Sequence, residues 1–170
     1  MNEEHTRITE GLKKAIEGEI DGYHFYMMAA RNTQDDKGKE VFEKLAQDEM
    51  EHVRFLGLQY ESFLQKGAPD TEAVLADRVD LTDPSPIFSE KIRSRLGKAH
   101  YEMSALSIGI QLELAAVGFY KDQAEQSADE TVRKFYTELS RWESGHYHAL
   151  LRQQEALKEE YWAKGGFTPF

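Results

Sequence analysis

No cysteine occurs among the 170 residues. That absence excludes disulfides, thiolate metal sites, iron–sulfur centres and cysteine nucleophiles. Proline is nearly as scarce. Pro69, Pro84 and Pro86 fall in one central stretch and Pro169 near the C-terminus, leaving two long segments free of proline. No basic cluster is present, and 31 acidic against 21 basic residues give a formal charge of −10. Nucleic-acid and anionic-membrane surfaces depend on clustered Lys and Arg, so neither partner is expected. The N-terminal Met1-Asn2-Glu3-Glu4-His5 lacks the basic-then-apolar order of a signal peptide, and no apolar run reads as membrane-spanning. The expected location is the cytoplasm. Length and an apolar content of 40% suit one domain with its own core.

What is present is helical periodicity. Before Pro69, apolar residues recur at helical spacing in two blocks, separated by the polar stretch Asn32-Thr33-Gln34-Asp35-Asp36-Lys37-Gly38. After Pro86 the design repeats, and Ser127-Ala128-Asp129-Glu130 has the form of a capping box opening the next helix. Residues from about 67 to 97 join the two halves, with Ser85 and Pro86 placed as N-cap and first residue of a short extra helix. Short, long and short connections predict an all-α four-helix bundle of two helical hairpins, with a long crossover between helices 2 and 3 that lets them run parallel. The bundle is expected over residues 1–160, with 161–170 as a tail.

The two halves match at a constant offset of 94 residues. Glu19 maps to Glu113, Phe25-Tyr26 to Phe119-Tyr120, Leu45 to Leu139, Glu49 to Glu143 and His52 to His146. A repeated hairpin places equivalent residues about a pseudo-two-fold axis. In helix 2, Phe42, Leu45, Glu49, His52, Leu56 and Phe63 form one inward seam, and in helix 4 Val132, Tyr136, Leu139, Glu143, His146 and Leu150 do the same. Ile16, Glu19, Tyr23, Tyr26 and Ala30 line helix 1, and Leu106, Gly109, Glu113, Ala116 and Tyr120 line helix 3. Four Glu and two His thus project into one core, where Glu is almost never found without a counter-charge.

Two divalent cations balance four carboxylates. The three-residue spacing of Glu49-x-x-His52 and Glu143-x-x-His146 puts carboxylate and imidazole on one helix face, with Glu19 and Glu113 supplying the other sides. A single Glu-x-x-His is ordinarily a solvated surface pair. Random placement of 21 Glu and 6 His gives roughly 0.7 such pairs. Here both occurrences sit at the repeat offset and on an inward seam, which favours a metal site over a buried hydrogen-bond network. Oxygen and imidazole ligation without thiolate suits iron first, with manganese and zinc as alternatives. Behind the ligands, Tyr26 and Tyr120 follow Glu19 and Glu113 by two turns, where each phenol can reach a carboxylate of the opposite hairpin or serve as plain packing. Asp48 is placed to hold the outer ring nitrogen of a ligand histidine, but its repeat partner is Trp142. His24, His100 and His148 lie off the pattern as surface or helix-end residues, and His5 is expected to be disordered.

These segments together resemble the rubrerythrin branch of the ferritin-like di-iron carboxylate proteins. The resemblance covers all four helices, and its carriers are the stretches Glu19 to Tyr26, Leu45 to His52, Glu113 to Tyr120 and Leu139 to His146. It implies two iron ions held by Glu19, Glu49, His52, Glu113, Glu143 and His146, with Glu49 and Glu143 bridging. It further implies a di-iron oxidoreductase, of peroxidase or ferroxidase type, that reduces peroxide or dioxygen with electrons from ferrous iron or an external donor protein. Two departures stand out. The family's cysteine-bearing rubredoxin domain has no counterpart in these residues, and Ala116 stands where rubrerythrins carry a further glutamate one turn after the third-helix ligand. The remaining six-ligand set is closer to the oxidase centre of bacterioferritin. The competing expectations are a ferritin-type iron-storage or ferroxidase subunit and a non-redox metal-binding helical scaffold. The chain is expected to be a homo-oligomer, with a dimer as the first choice.

Overall fold

The computed structural model describes residues 3–76, 87–90 and 100–165. They form four long helices: α1 (Glu3–Asn32), α2 (Asp36–Lys66), α3 (His100–Gln126) and α4 (Glu130–Gly165). No strand occurs among the described residues. The helices pack as two hairpins, α1 on α2 and α3 on α4, and α1 also touches α3. The bundle is the architecture the sequence predicts.

Local chemistry sets the helix ends. Asp35 has extended backbone and caps α2, its carboxylate accepting from the Gly38 N–H at 2.8 Å. Gly67 closes α2 in the left-handed region at φ +69°, its N–H donating to the Phe63 carbonyl at 3.0 Å. Glycine takes that conformation without the penalty a Cβ brings. At the start of α4 the cap is Asp129, not Ser127. The Asp129 carboxylate accepts from the Thr131 and Val132 N–H groups at 2.8 and 3.0 Å, whereas the Ser127 hydroxyl donates backward to the Gln123 carbonyl at 2.6 Å. A charged acceptor at the positive end of a helix wins over a hydroxyl two residues further out.

Two apolar clusters fill the bundle on either side of its middle. One gathers Tyr26, Phe42, Leu45, Phe88, Leu106 and Leu150; the other gathers Leu12, Phe55, Leu56, Tyr120, Tyr136 and Leu139. Each helix contributes to both, so the segment between them on every helix is where polar side chains meet.

The described part of the crossover runs back along α2. The Gln59 side chain donates to the Asp70 carbonyl and accepts from its N–H, and Arg54 donates to the Val74 carbonyl. Further on, Phe88 is buried edge-on against Phe42, and Asp35 accepts from the backbone and hydroxyl of Ser89. The expected Ser85-Pro86 helix start lies outside the described residues, as does 91–99. Helix α4 continues to Gly165, into the stretch read from the sequence as tail. His5 is not disordered: it sits in α1 with Nε2 at 2.8 Å from the Phe63 carbonyl, stitching the start of α1 to the end of α2. By length and composition α3 is apolar enough to cross a membrane, contrary to the sequence expectation that no run qualifies. Its buried stripe of Leu106, Gly109, Ile110, Glu113 and Val117 faces the bundle, while Ile108, Leu112 and Leu114 are exposed, so burial in this bundle accounts for only part of that composition.

Candidate metal centre

The middle of the bundle brings all six proposed ligands together. Glu19 comes from α1, Glu49 and His52 from α2, Glu113 from α3, and Glu143 and His146 from α4; none is more than 5% exposed. They form two overlapping groups, Glu19-Glu49-His52-Glu143 and Glu49-Glu113-Glu143-His146, each with one donor atom per residue inside 4.8 Å. Glu49 and Glu143 belong to both groups. The contacts also fix helix direction. Tyr26 reaches Glu113 while Tyr120 reaches Glu19, so α1 and α3 are antiparallel. Since α1 is also antiparallel to α2 across its short turn, α2 and α3 run parallel.

Left to protons alone, this cluster is electrostatically unbalanced. Burial first, and then the charges of Glu143, Glu19 and Glu113, push the Glu49 carboxyl well above the usual range. Burial also raises Glu113, to about 8, with His146 opposing and Glu143 adding to it. Burial acts on Glu143 in the same sense, but His52 and His146 outweigh it and hold this carboxyl below its ordinary value. Burial disfavours the imidazolium forms, yet the surrounding carboxylates raise both His52 and His146 well above the usual histidine range.

The residues behind the ligands are also in contact with them. The Tyr26 hydroxyl donates to Glu113 Oε1 and the Tyr120 hydroxyl to Glu19 Oε1, each across the α1/α3 boundary. Burial, followed by the charges of those same glutamates, raises both phenols, so they remain protonated donors. Asp48 Oδ2 lies 3.0 Å from His146 Nε2. At the repeat-equivalent place Trp142 packs its ring 4.8 Å from that of His52, whose Nε2 is buried with no partner. The off-pattern His24, His100 and His148 are exposed.

The donor set fits a pair of divalent cations, and one atom makes the case. With Nε2 directed to Asp48, His146 turns Nδ1 toward Glu143, Glu113 and Glu49 oxygens at 3.3, 3.6 and 3.9 Å; without a metal those carboxylates favour a second proton on the ring, and a cation bound among them would take that proton's place at Nδ1. His146 Nδ1 and Glu49 Oε2 are buried without an aligned hydrogen-bond partner, a costly arrangement that a shared cation relieves. On the other side, His52 Nδ1 lies 3.2 Å from Glu19 Oε2 and 2.9 Å from Glu143 Oε1.

A cleft between α1 and α3 reaches this centre from outside. It holds about 360 Å³; Gly18, Gly22, Ala115 and Ala116 shape its walls, and carboxylates of Glu19, Glu49, Glu113 and Glu143 stand at its floor. Sequence reasoning missed this cleft, as it missed Glu102, buried on α3 and accepting from the Thr33 hydroxyl at 2.9 Å. Glu102 has no acidic repeat partner, since Ile8 occupies the equivalent position, and so carried no signal.

The sequence model of the family described as Rubrerythrin matches residues 10–154, a span that includes every residue of the centre. No curated protein and no solved structure matches the chain.

Proposed function

The chain belongs to the rubrerythrin family, and from that premise we propose that it is a di-iron oxidoreductase reducing peroxide or dioxygen with electrons from ferrous iron or an external donor protein. The observation that carries this reading is the pair of buried ligand groups sharing Glu49 and Glu143, with His146 Nδ1 turned toward carboxylates. Glu19 and His52 would hold one cation, Glu113 and His146 the other, and Glu49 and Glu143 would bridge. Two ferrous ions there would supply the two electrons that, with two protons, convert hydrogen peroxide to two waters. Asp48 fixes the His146 tautomer, leaving Nδ1 free to coordinate. The Tyr26 and Tyr120 hydroxyls orient Glu113 and Glu19 and hold protons beside their oxygens. The apolar clusters on either side exclude bulk water from all but the cleft. With no cysteine in these 170 residues, thiolate-ligated redox centres are absent from them, and continuous turnover needs a donor outside.

The test is to load metal-free protein with two ferrous ions per chain under anaerobic conditions and add hydrogen peroxide. One peroxide should disappear for every two ferrous ions oxidised. Persistence of both reactants would contradict the proposal.

A second reading, oxidation of ferrous iron as the substrate, is favoured by Ala116, which leaves six protein ligands and opens the cleft wall. Turnover of many ferrous equivalents per chain would support it. An iron-storage role additionally requires a particle of many subunits, and a dimer in solution would exclude that role.

A further inference from the structure

The cleft is far larger than peroxide or dioxygen requires. Its volume of about 360 Å³ lies at the lower end of the range for small-molecule sites, and it would hold on the order of ten waters. Its walls are carbon: Ala15, Leu112, Ala115, Ala116 and Phe119 line it with the aromatic faces of Tyr26 and Tyr120.

Small residues at repeated positions create this space. Gly22 and Ala116 are equivalents at the 94-residue offset, each one turn after a glutamate of the centre, and both line the cleft. Gly18 lies one turn before Gly22. Glycine inside a helix is destabilising relative to alanine, so two of them in the middle of α1 call for a reason. Close packing is not that reason. A Cβ on Gly18 would meet nothing within 4 Å, and one on Gly22 would make only an ordinary contact at 3.5 Å with Glu49 Cγ. Neither glycine has a positive φ. Their effect is to keep the wall of α1 open.

Charge narrows the occupant. Lys14 and Asp21 lie among the lining residues with opposite signs, and Lys14 sits 5.4 Å over the Phe119 ring. The four floor carboxylates are neutralised when two divalent cations are bound. No net charge remains to select an ion. We propose that the α1/α3 cleft is a binding site for an uncharged, predominantly apolar organic molecule smaller than a typical drug, which it seats with one end against the metal centre. The proposal rests on the two-metal reading for the neutrality of the floor, and adds an organic ligand to the oxidant at this site.

The test uses zinc-loaded, redox-inert protein and the uncharged fluorophore N-phenyl-1-naphthylamine as probe. Wild type should bind it saturably at one per chain. Gly18→Leu, whose Cβ meets nothing within 4 Å and whose longer side chain would occupy cleft space, should weaken binding by about tenfold or more, the scale on which apolar pockets discriminate fit. Gly118→Leu, on α3 away from the cleft lining, should leave affinity unchanged. Metal content is measured on the same samples. Two zinc ions per chain in all three proteins, with non-saturable binding or with equal affinity in Gly18→Leu, would overturn the cleft proposal while leaving the metal centre intact. Absence of zinc from wild type would instead overturn the metal reading, and with it the neutral floor on which this proposal depends.

Discussion

Asp48 on α2 lies 3.0 Å from the outer ring nitrogen of His146 on α4, whereas its repeat-equivalent, Trp142, packs its ring at a tilt against His52 and offers that histidine no acceptor. The two halves therefore match in their ligands and differ immediately outside them. A carboxylate on the outer nitrogen raises the donor strength of a ligand imidazole and fixes its orientation. Metal titration by calorimetry should show two unequal steps, the tighter at the His146 side. Asp48→Ala should weaken the tighter step by roughly 10–100-fold, and Trp142→Ala should leave it in place. Two equal steps, or no effect of Asp48→Ala, would contradict this asymmetry.

The phenols of Tyr26 and Tyr120 are the hydrogen-bond donors to otherwise buried oxygens of Glu113 and Glu19. Replacing either by Phe keeps the ring packing and removes the donor. Each substitution should cost about 1–3 kcal/mol, the scale of an unsatisfied buried acceptor. Urea unfolding of the metal-loaded protein checks this, and a loss well under 0.5 kcal/mol, about the error of such measurements, would count against it.

The pH dependence of the metal-free chain has a definite sign. Glu113 is raised from 4.5 to about 8, and Glu49 is raised too, so across that window the folded chain holds protons the unfolded chain has released. Stability then falls as pH rises. The raised His52 and His146 act in the same direction: their contribution is full below the usual histidine value and is lost as pH climbs through their elevated ones. Glu143, held low, contributes stability that disappears only in acid. Calorimetry should give a metal-free Tm lower at pH 8 than at pH 6, and saturating divalent metal should reverse the order. A metal-free Tm that rises over that interval would contradict the electrostatics described.

Two glycines on α2 should respond oppositely to alanine. A Cβ on Gly38 would come within 2.5 Å of the Phe88 ring, while one on Gly57 would meet nothing within 4 Å. Gly38→Ala should destabilise by about 1–3 kcal/mol through overpacking. Gly57→Ala should stabilise by about 0.5–1 kcal/mol through helix propensity. Thermal denaturation of the two variants, with opposite shifts, tests whether the described crossover residues 87–90 dock on the α1/α2 turn.

Much of the centre was legible in the sequence because the chemistry is written twice. Glu49-x-x-His52 and Glu143-x-x-His146 break apolar seams at equal places, and a charged pair in a seam has no solvent to face. The residues behind the ligands were legible through geometry: two helical turns carry Tyr26 past Glu19 to the level of Glu113 on antiparallel α3. What stayed hidden depends on partners distant in sequence. Gly18 and Gly22 look like defects in α1 until α3 is set beside them with Ala115 and Ala116. Glu102 is explained only by Thr33 across the hairpins, and His5 only by the end of α2. The choice of Asp129 over Ser127 as cap turned on which acceptor sits nearer the free N–H groups of α4, a distance that a four-residue pattern does not encode.

The central claim is that these six buried side chains hold two divalent metal ions, and elemental analysis of protein purified without added metal tests it most directly. Two metal ions per chain, with iron predominant, are predicted; binding would shift the formal charge from −10 toward −6. Glu49→Ala, which removes a ligand common to both groups, should lower occupancy at both positions together, whereas His146→Ala should empty one first. A folded wild-type chain that binds no metal, even when titrated with ferrous, manganous or zinc ions, would contradict the account.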